Sequence, residues 1–420
     1  MLAARLPELE RQTSGLVSHL LNGGTLLSVF GLLIGLKHRE HRLLGRVQKW
    51  LFFVSWVALL PIVLAHLVRY LWMTDPFHNT VFGIPLLLVI AFLLLMIGWL
   101  ANTNRISLHH FYRDRLSEAY MIKRSESNGK LRSNESLSLK QLHSGGNGAL
   151  YHLINATLNI PSSGHPKLRG RGADSFIFTR YYCGSESTGY QKTESYEKGG
   201  TRLATAMAIS GAALSPEMGQ LGSSMTTFIL TLLNIRLNRW MPNPLPCRMP
   251  GIRPFWPYYF VKELLDKGTE KDRLLNLSDG GHYENLGVYE LIKRRCEIII
   301  ASDAGADPDF HFVDFANLLR KVRIDFGVEI EIDLTELRLD EKKNAKTHFA
   351  VGTIRYPDKT EGALIYVKAS MIGKEPEDLL SYRRENATFP DESTADQFFN
   401  EAQFESYREL GYVTAKTMFS

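Results

Sequence analysis

The stretch that decides the predicted fold is LSDGGHYENLGVYELIKRRCEIIIASDAG, residues 277–305. It continues a short apolar run that begins at Leu274, and residues 278–281 have the composition of a turn. Residues 284–295 have helical spacing and end in three basic side chains, which suit the negative end of a helix dipole. Residues 296–301 are apolar except for Glu297, as is typical of a buried parallel strand. The pattern predicts an α/β fold in which helices cover a parallel sheet.

Outside this stretch, several segments have clear local patterns. Residues 202–211 are mostly small and apolar, which is typical of a buried helix or a turn at a strand edge. Further elements are predicted from periodicity, with helices at 109–121 and 312–323 and strands near 328–332, 349–354 and 363–369. Residues 125–148 are rich in Ser, Asn, Gly and Lys, and we expect a flexible insertion there.

Composition excludes several classes of function. The 420 residues are enough for two or three domains. The chain has 49 basic and 44 acidic residues, so its net charge of +5 is small and does not indicate a nucleic-acid partner. The three cysteines are far apart and form no C-x-x-C pair, so neither a disulfide framework nor a zinc site is predicted. We expect no metal and no cofactor.

The region 1–106 has the hydropathy of a membrane segment. The ranges 50–73 and 81–101 are each long enough to cross a bilayer, and the second has no charge in 21 residues. The range 14–36 is a weaker candidate because it contains His19, Asn22 and several glycines, and it could instead be an interfacial or packed helix. Two or three N-terminal transmembrane helices are therefore predicted.

Loop charges predict the orientation of these spans. Lys and Arg are frequent just before residue 50 and just after residue 102, whereas the loop 74–80 contains neither. The positive-inside rule then places residues 107–420 in the cytoplasm, as the soluble domain of a multi-pass membrane protein.

Asp279 is the candidate catalytic residue. It follows a predicted strand, where open α/β sheets place their sites, and Gly280 and Gly281 allow a ligand to approach the backbone. His282 could tune the carboxylate or could be an ordinary surface residue of the turn. Asp-Gly-Gly turns are common, so composition alone does not distinguish a site from a structural turn.

Three segments resemble the patatin-like phospholipases, and most of all their large bacterial membrane-spanning members. The first is the stretch 277–305, which is similar to the block around the family's catalytic aspartate. The others are AMAISGAALSPEMG, residues 206–219, and FPDESTADQFFNEAQFESYRELGY, residues 389–412. The resemblance extends from about residue 107 to the end of the chain, and it is most specific at 277–305.

This resemblance implies a serine–aspartate lipid acyl hydrolase. Asp279 would be the general base that accepts the serine proton, while Gly280 and Gly281 would shape its loop. The partners would be a membrane lipid, such as a phospholipid or another acyl ester, and the bilayer itself. The location would be the bacterial inner membrane.

The nucleophile of that family is missing from the sequence. The motif G-x-S-x-G occurs nowhere in the chain, nor does the glycine-rich oxyanion loop. The chain therefore resembles the C-terminal part of the enzyme, an incomplete patatin-like domain, and an upstream fragment could supply the nucleophile. Ser210 is the best internal candidate, although packing of small residues explains its neighbours equally well. A non-catalytic membrane-anchored pseudoenzyme or binding scaffold is the alternative function.

Overall fold

The computed structural model of the chain describes residues 102–105, 107–124, 129, 131–142, 150–168, 170–215, 236–245, 256–393, 396 and 399–420, besides Phe92 and Met96. The chain divides into two compact units, an N-terminal unit up to Tyr283 and a C-terminal unit from Glu284.

The N-terminal unit is built on an antiparallel sheet. Its described strands are β1 (Ile122–Arg124), β2 (Leu131–Ser133), β3 (Ile154–Asn159), β4 (Ala173–Phe178), β5 (Tyr182–Ser185), β6 (Gly189–Lys192), β7 (Arg239–Pro242) and β8 (Leu274–Asp279). Its described helices are α1 (His109–Tyr120), α2 (Leu203–Ser210) and α3 (Trp256–Leu264). Six strands pair in the order β6-β5-β4-β3-β8-β7, and every pair is antiparallel. The strands β1 and β2 form a separate hairpin.

The core of this unit lies between the sheet and α2. Leu275 and Leu277 of β8 point to one face, because alternate side chains of a strand share a face. They belong to a buried cluster that also contains Met241 of β7 and Ala206 and Ile209 of α2. The small side chains of LATAMAIS let this helix approach the sheet closely. Of the two structures predicted for residues 202–211, a buried helix or a turn at a strand edge, the buried helix is the one observed.

A buried polar network connects three segments on the face of β8 opposite Leu275 and Leu277. The side chains of Arg236 and Glu263 are 1% and 0% exposed and form an ion pair. Glu263 Oε1 accepts from Arg236 Nη1 at 2.6 Å, from Asn238 Nδ2 at 3.2 Å and from Asn276 Nδ2 at 3.1 Å. The network therefore links α3, β8 and the segment before β7.

The C-terminal unit is built on a four-stranded mixed sheet. Its strands are β9 (Ile298–Asp303), β10 (Glu329–Ile332), β11 (Phe349–Arg355) and β12 (Glu361–Lys368). Its helices are α4 (Tyr289–Lys293), α5 (Val313–Phe326), α6 (Glu377–Glu385) and α7 (Glu401–Phe419). The order is β10-β11-β12-β9, and only the pair of β12 with β9 is parallel.

The prediction of a patatin-like parallel sheet with covering helices is wrong. The predicted strand, helix and strand exist as β8, α4 and β9, but β8 and β9 belong to different sheets. An apolar run does not determine whether the neighbouring strands are parallel or antiparallel. Strand β8 is buried, yet it pairs with an antiparallel strand on each side. The isoleucines of β9 are not all buried either, since Ile298 is 69% exposed and Ile299 is 1% exposed.

The predicted membrane architecture is corrected as well. The predicted spans at 14–36, 50–73 and 81–101 lie outside the described residues, apart from Phe92 and Met96. No helix in the described part of the chain is long and apolar enough to cross a membrane. The longest described helix, α7, has 19 residues and carries several charged side chains. N-terminal transmembrane helices, and with them a multi-pass protein of the bacterial inner membrane with a cytoplasmic domain, are therefore not supported.

The predicted insertion at 125–148 is described in part. The described portion contains β2 and a short 3₁₀ turn at Leu139–Gln141, whose Leu139 is fully buried.

The buried pair of Arg236 and Glu263 gives the first testable prediction. Glu263→Gln leaves the guanidinium buried without a counter-charge, and we expect a loss of about 3–5 kcal/mol in the free energy of unfolding. Urea denaturation of the full chain measures this loss. The matched control is Glu377→Gln, which breaks the exposed pair of Glu377 with Arg384 and should cost under about 1 kcal/mol. Equal denaturation midpoints for the two variants would contradict the prediction.

Candidate functional site

Asp279 lies at the end of β8, where the strand passes into a 3₁₀ turn formed by Gly280–His282. Its backbone is opposite Ala156 of β3. The side-chain atom Oδ1 accepts a hydrogen bond from the N–H of Gly281 at 2.7 Å. Burial raises the pKa of Asp279 to about 6, although the Gly281 hydrogen bond opposes this shift. The carboxyl is therefore held in place by the backbone and is largely withdrawn from water.

The two glycines after Asp279 have different roles. A Cβ atom on Gly280 would lie 2.8 Å from the carbonyl oxygen of Asn155, which is too close for any other residue. The carbonyl of Gly280 also accepts from Thr157 Oγ1 at 3.3 Å, so the turn rests directly on β3. Gly281 instead supplies the N–H that binds the carboxylate.

His282 anchors the turn from the other side. Its Nδ1 atom lies 2.9 Å from Ser278 Oγ, and the ring also bonds to the carbonyl of Ala213. Asn159 Nδ2 donates to the same Ser278 oxygen at 2.9 Å. Burial lowers the pKa of His282 to about 4, so the imidazole is neutral at pH 7. Ser278 is fully buried, which suits a positioning role and not that of a nucleophile.

Tyr112 of α1 is a neighbour that the sequence did not indicate. Burial raises the pKa of Tyr112, and the charge of Asp279 raises it further, so the phenol lies within electrostatic range of the carboxylate. A Cβ atom on Gly211 would lie 2.7 Å from the Tyr112 hydroxyl oxygen. Gly211 therefore makes room for Tyr112. Because Tyr112 and Asp279 are far apart in the chain, no local pattern could have paired them.

Ser210 is the last residue of α2, directly before Gly211. The C-terminal end of α2 thus reaches the turn after Asp279, where the Ala213 carbonyl meets His282. Among the described residues, however, no serine hydroxyl hydrogen-bonds to Asp279, whose Oδ1 is bound by Gly281. The structure brings Asp279, Gly280, Gly281 and His282 together and places Ser210 in the same region without a bond to the base.

Comparison with models of known protein families, with curated proteins and with solved structures yields no match in any of the three. These comparisons therefore give no support to a hydrolase or to a role in lipid metabolism. The resemblance to the patatin-like phospholipases stays a prediction.

The raised pKa of Asp279 gives a stability prediction. A carboxyl with a folded pKa near 6 and an unfolded value of 3.8 makes folding less favourable as pH rises through that interval. Asp279→Asn keeps an oxygen for Gly281 and removes the charge. We expect it to stabilise the full chain at pH 8 by up to about 3 kcal/mol, and by under about 1 kcal/mol at pH 4.

Urea denaturation at both pH values measures the effect. The control is Asp309→Asn, since Asp309 is an exposed aspartate of the C-terminal unit. We expect no gain in the free energy of unfolding at pH 8 for this variant. If the free energy of unfolding of Asp279→Asn differed from that of the unaltered chain by the same amount at both pH values, desolvation of this carboxyl would be ruled out.

Proposed function

We propose that the chain carries the aspartate half of a serine–aspartate acyl-ester hydrolase, with Asp279 as the general base. One observation supports this most: the carboxyl is fixed by the Gly281 N–H and desolvated until its pKa is about 6. A general base works best with a pKa near the operating pH, whereas an ordinary aspartate is too weak. The resemblance at 277–305 supports the same role.

The proton transfers follow from this assignment. Above pH 6 the carboxylate takes the proton of a serine hydroxyl as the oxygen attacks the ester carbonyl. Asp279 then returns the proton to the departing alcohol, and an acyl-serine remains. Water, deprotonated by the same carboxylate, releases the acid and restores the serine. His282 keeps the turn in place, because a neutral imidazole bonded to Ser278 and Ala213 holds the loop that carries the base.

The nucleophile is the open part of this proposal. Ser210 is the internal candidate, and its hydroxyl would have to move to bond with Asp279. The second candidate is a serine supplied by an upstream fragment. Either source leaves Asp279 as the base, and the two are separated by whether the chain alone has activity.

A non-catalytic binding module is the second candidate function. It is favoured by one observation, that no described serine hydroxyl bonds to Asp279. In that case the turn at 279–282 would have a structural role, and the desolvated carboxylate of Asp279 would have no catalytic role.

Hydrolysis of a short-chain 4-nitrophenyl ester by the full chain tests the proposal. We expect activity to rise with pH and to level off above about pH 6, where Asp279 is ionised. Asp279→Asn should lower kcat by roughly 10²–10⁴-fold, the usual contribution of a general base. The control Asp309→Asn should match the unaltered chain at every pH.

Ser210→Ala tests the internal candidate for the nucleophile. Loss of activity in this variant, with an intact fold, would identify Ser210. Full activity would point to another serine of the chain. Absence of turnover in the unaltered chain would argue against an internal nucleophile and would leave the upstream serine and the binding module. Equal activity of Asp279→Asn would refute the role of Asp279.

A further inference from the structure

Arg239 lies on the same face of the N-terminal sheet as Asp279. In the β7–β8 pair, Arg239 is opposite Leu277, and Asp279 follows two residues later on the same side of the strand. Diagonal neighbours of this kind are about 7–8 Å apart. Asp279 is thus near Arg239 without being its ion-pair partner. This arginine is the centre of a second group of polar side chains.

The guanidinium of Arg239 has unmet hydrogen-bonding capacity. Its Nε and Nη1 atoms are inaccessible to solvent and have no hydrogen-bond partner among the described residues. Burial lowers the pKa of Arg239, and among the neighbouring charges Glu197 opposes this effect while Arg113 adds to it. Burying a donor without an acceptor makes folding less favourable, so each such case needs an explanation.

His109 presents a second unpaired atom to the same region. The ring is fully buried, and its Nδ1 atom lies 2.7 Å from the carbonyl oxygen of Leu237. Because a carbonyl oxygen only accepts, Nδ1 carries the hydrogen and Nε2 is left as an acceptor. Nε2 is inaccessible to solvent and has no hydrogen-bond partner in the part of the chain that the structure describes. Burial lowers the pKa of His109 to about 3, and the charge of Arg239 is the next largest cause.

The first turn of α1 adds a third feature. It has no acidic residue and no side-chain cap at its N-terminus, so its N–H groups keep their partial positive charge. The segment before the helix is fixed beside β7, because Asn104 Nδ2 donates to the Trp240 carbonyl at 2.8 Å and Asn104 Oδ1 accepts from the Trp240 N–H at 2.9 Å. Arg239 is therefore held next to the start of α1.

The charges around this point are mainly positive. Arg105, Arg113 and Arg239 all lower the pKa of His110, after burial, and only Asp114 raises it. Asp114 is already paired with Arg113, with 2.6 Å between Nη2 and Oδ1. Glu197 accepts a hydrogen bond from Thr201 Oγ1 at 2.9 Å. The nearby carboxylates thus do not satisfy the unpaired nitrogens of Arg239.

We propose that Arg239, His109 and the first turn of α1 form a binding site for a phosphate group. Guanidinium N–H groups match the oxygens of a phosphate, and the helix N-terminus favours its charge. A phosphate that keeps one hydroxyl can also donate to the Nε2 acceptor of His109. Sulfate has no such hydroxyl at neutral pH and a carboxylate has none either, so the site selects phosphate. This site does not depend on hydrolysis at Asp279.

Calorimetric titration of the full chain with inorganic phosphate, at constant ionic strength set with chloride, tests the site. We expect one phosphate per chain and an affinity at least tenfold weaker for Arg239→Met. Sulfate and acetate should bind at least several-fold more weakly than phosphate. Glycerol 3-phosphate should also bind more weakly than inorganic phosphate, because a phosphate monoester is mostly a dianion without a hydroxyl at pH 7.

The matched control is Arg384→Gln, which removes an exposed arginine of the C-terminal unit and should leave phosphate binding unchanged. Without phosphate, Arg239→Met should melt at the same temperature as the unaltered chain or higher, because an unpaired buried charge is removed. Phosphate should then raise the Tm of the unaltered chain and not that of the variant.

Three results would overturn the site. One is the absence of phosphate binding, a second is equal binding by Arg239→Met, and a third is sulfate binding as tight as phosphate. If Arg239→Met fails to fold, Arg239→Lys replaces it: the charge is kept and the fork of N–H groups is lost. Unchanged phosphate affinity in Arg239→Lys would equally refute a guanidinium site.

Discussion

The pairing of β8 on both sides is the constraint on which the N-terminal unit depends. Its residues 276–279 bond to β3 and its residues 274–277 bond to β7, so neither its position nor its register can change independently. A shift by one residue would turn Leu275 and Leu277 out of the core and Asp279 to the opposite face. The location of the candidate base is therefore a consequence of strand pairing.

The turn after β8 adds a second constraint, since its close contacts leave no space for a side chain at Gly280. Gly280 lies against the backbone of β3, and His282 reaches across to the end of α2. These contacts come from elements that are distant in sequence, yet they converge on three consecutive residues. The turn is consequently positioned by the whole unit, which is what a catalytic loop or an anchored structural turn both require.

Unpaired or desolvated charges accumulate on this side of the sheet. Asp279 has a raised pKa, Arg239 has unmet donors, and His109 has an unmet acceptor. Each of them makes folding less favourable. The Arg236–Glu263 pair, in which opposite charges meet, also leaves Arg236 Nε and Nη2 without a partner among the described residues. Perturbed ionisable groups cluster at functional sites more often than elsewhere, although buried networks can perturb them too.

The sequence by itself determined the local elements. Helix α1, helix α5 and strands β8 to β12 lie close to their predicted ranges, because periodicity and turn composition report on nearest neighbours along the chain. It also singled out Asp279 with its two glycines. The tertiary structure alone decided that the strands pair mainly antiparallel, since hydrogen-bonding partners are chosen across the sheet and leave no local signal. For the same reason only the tertiary structure could place Tyr112 near Asp279 and His109 near Arg239: their proximity depends on contacts between segments far apart in the chain.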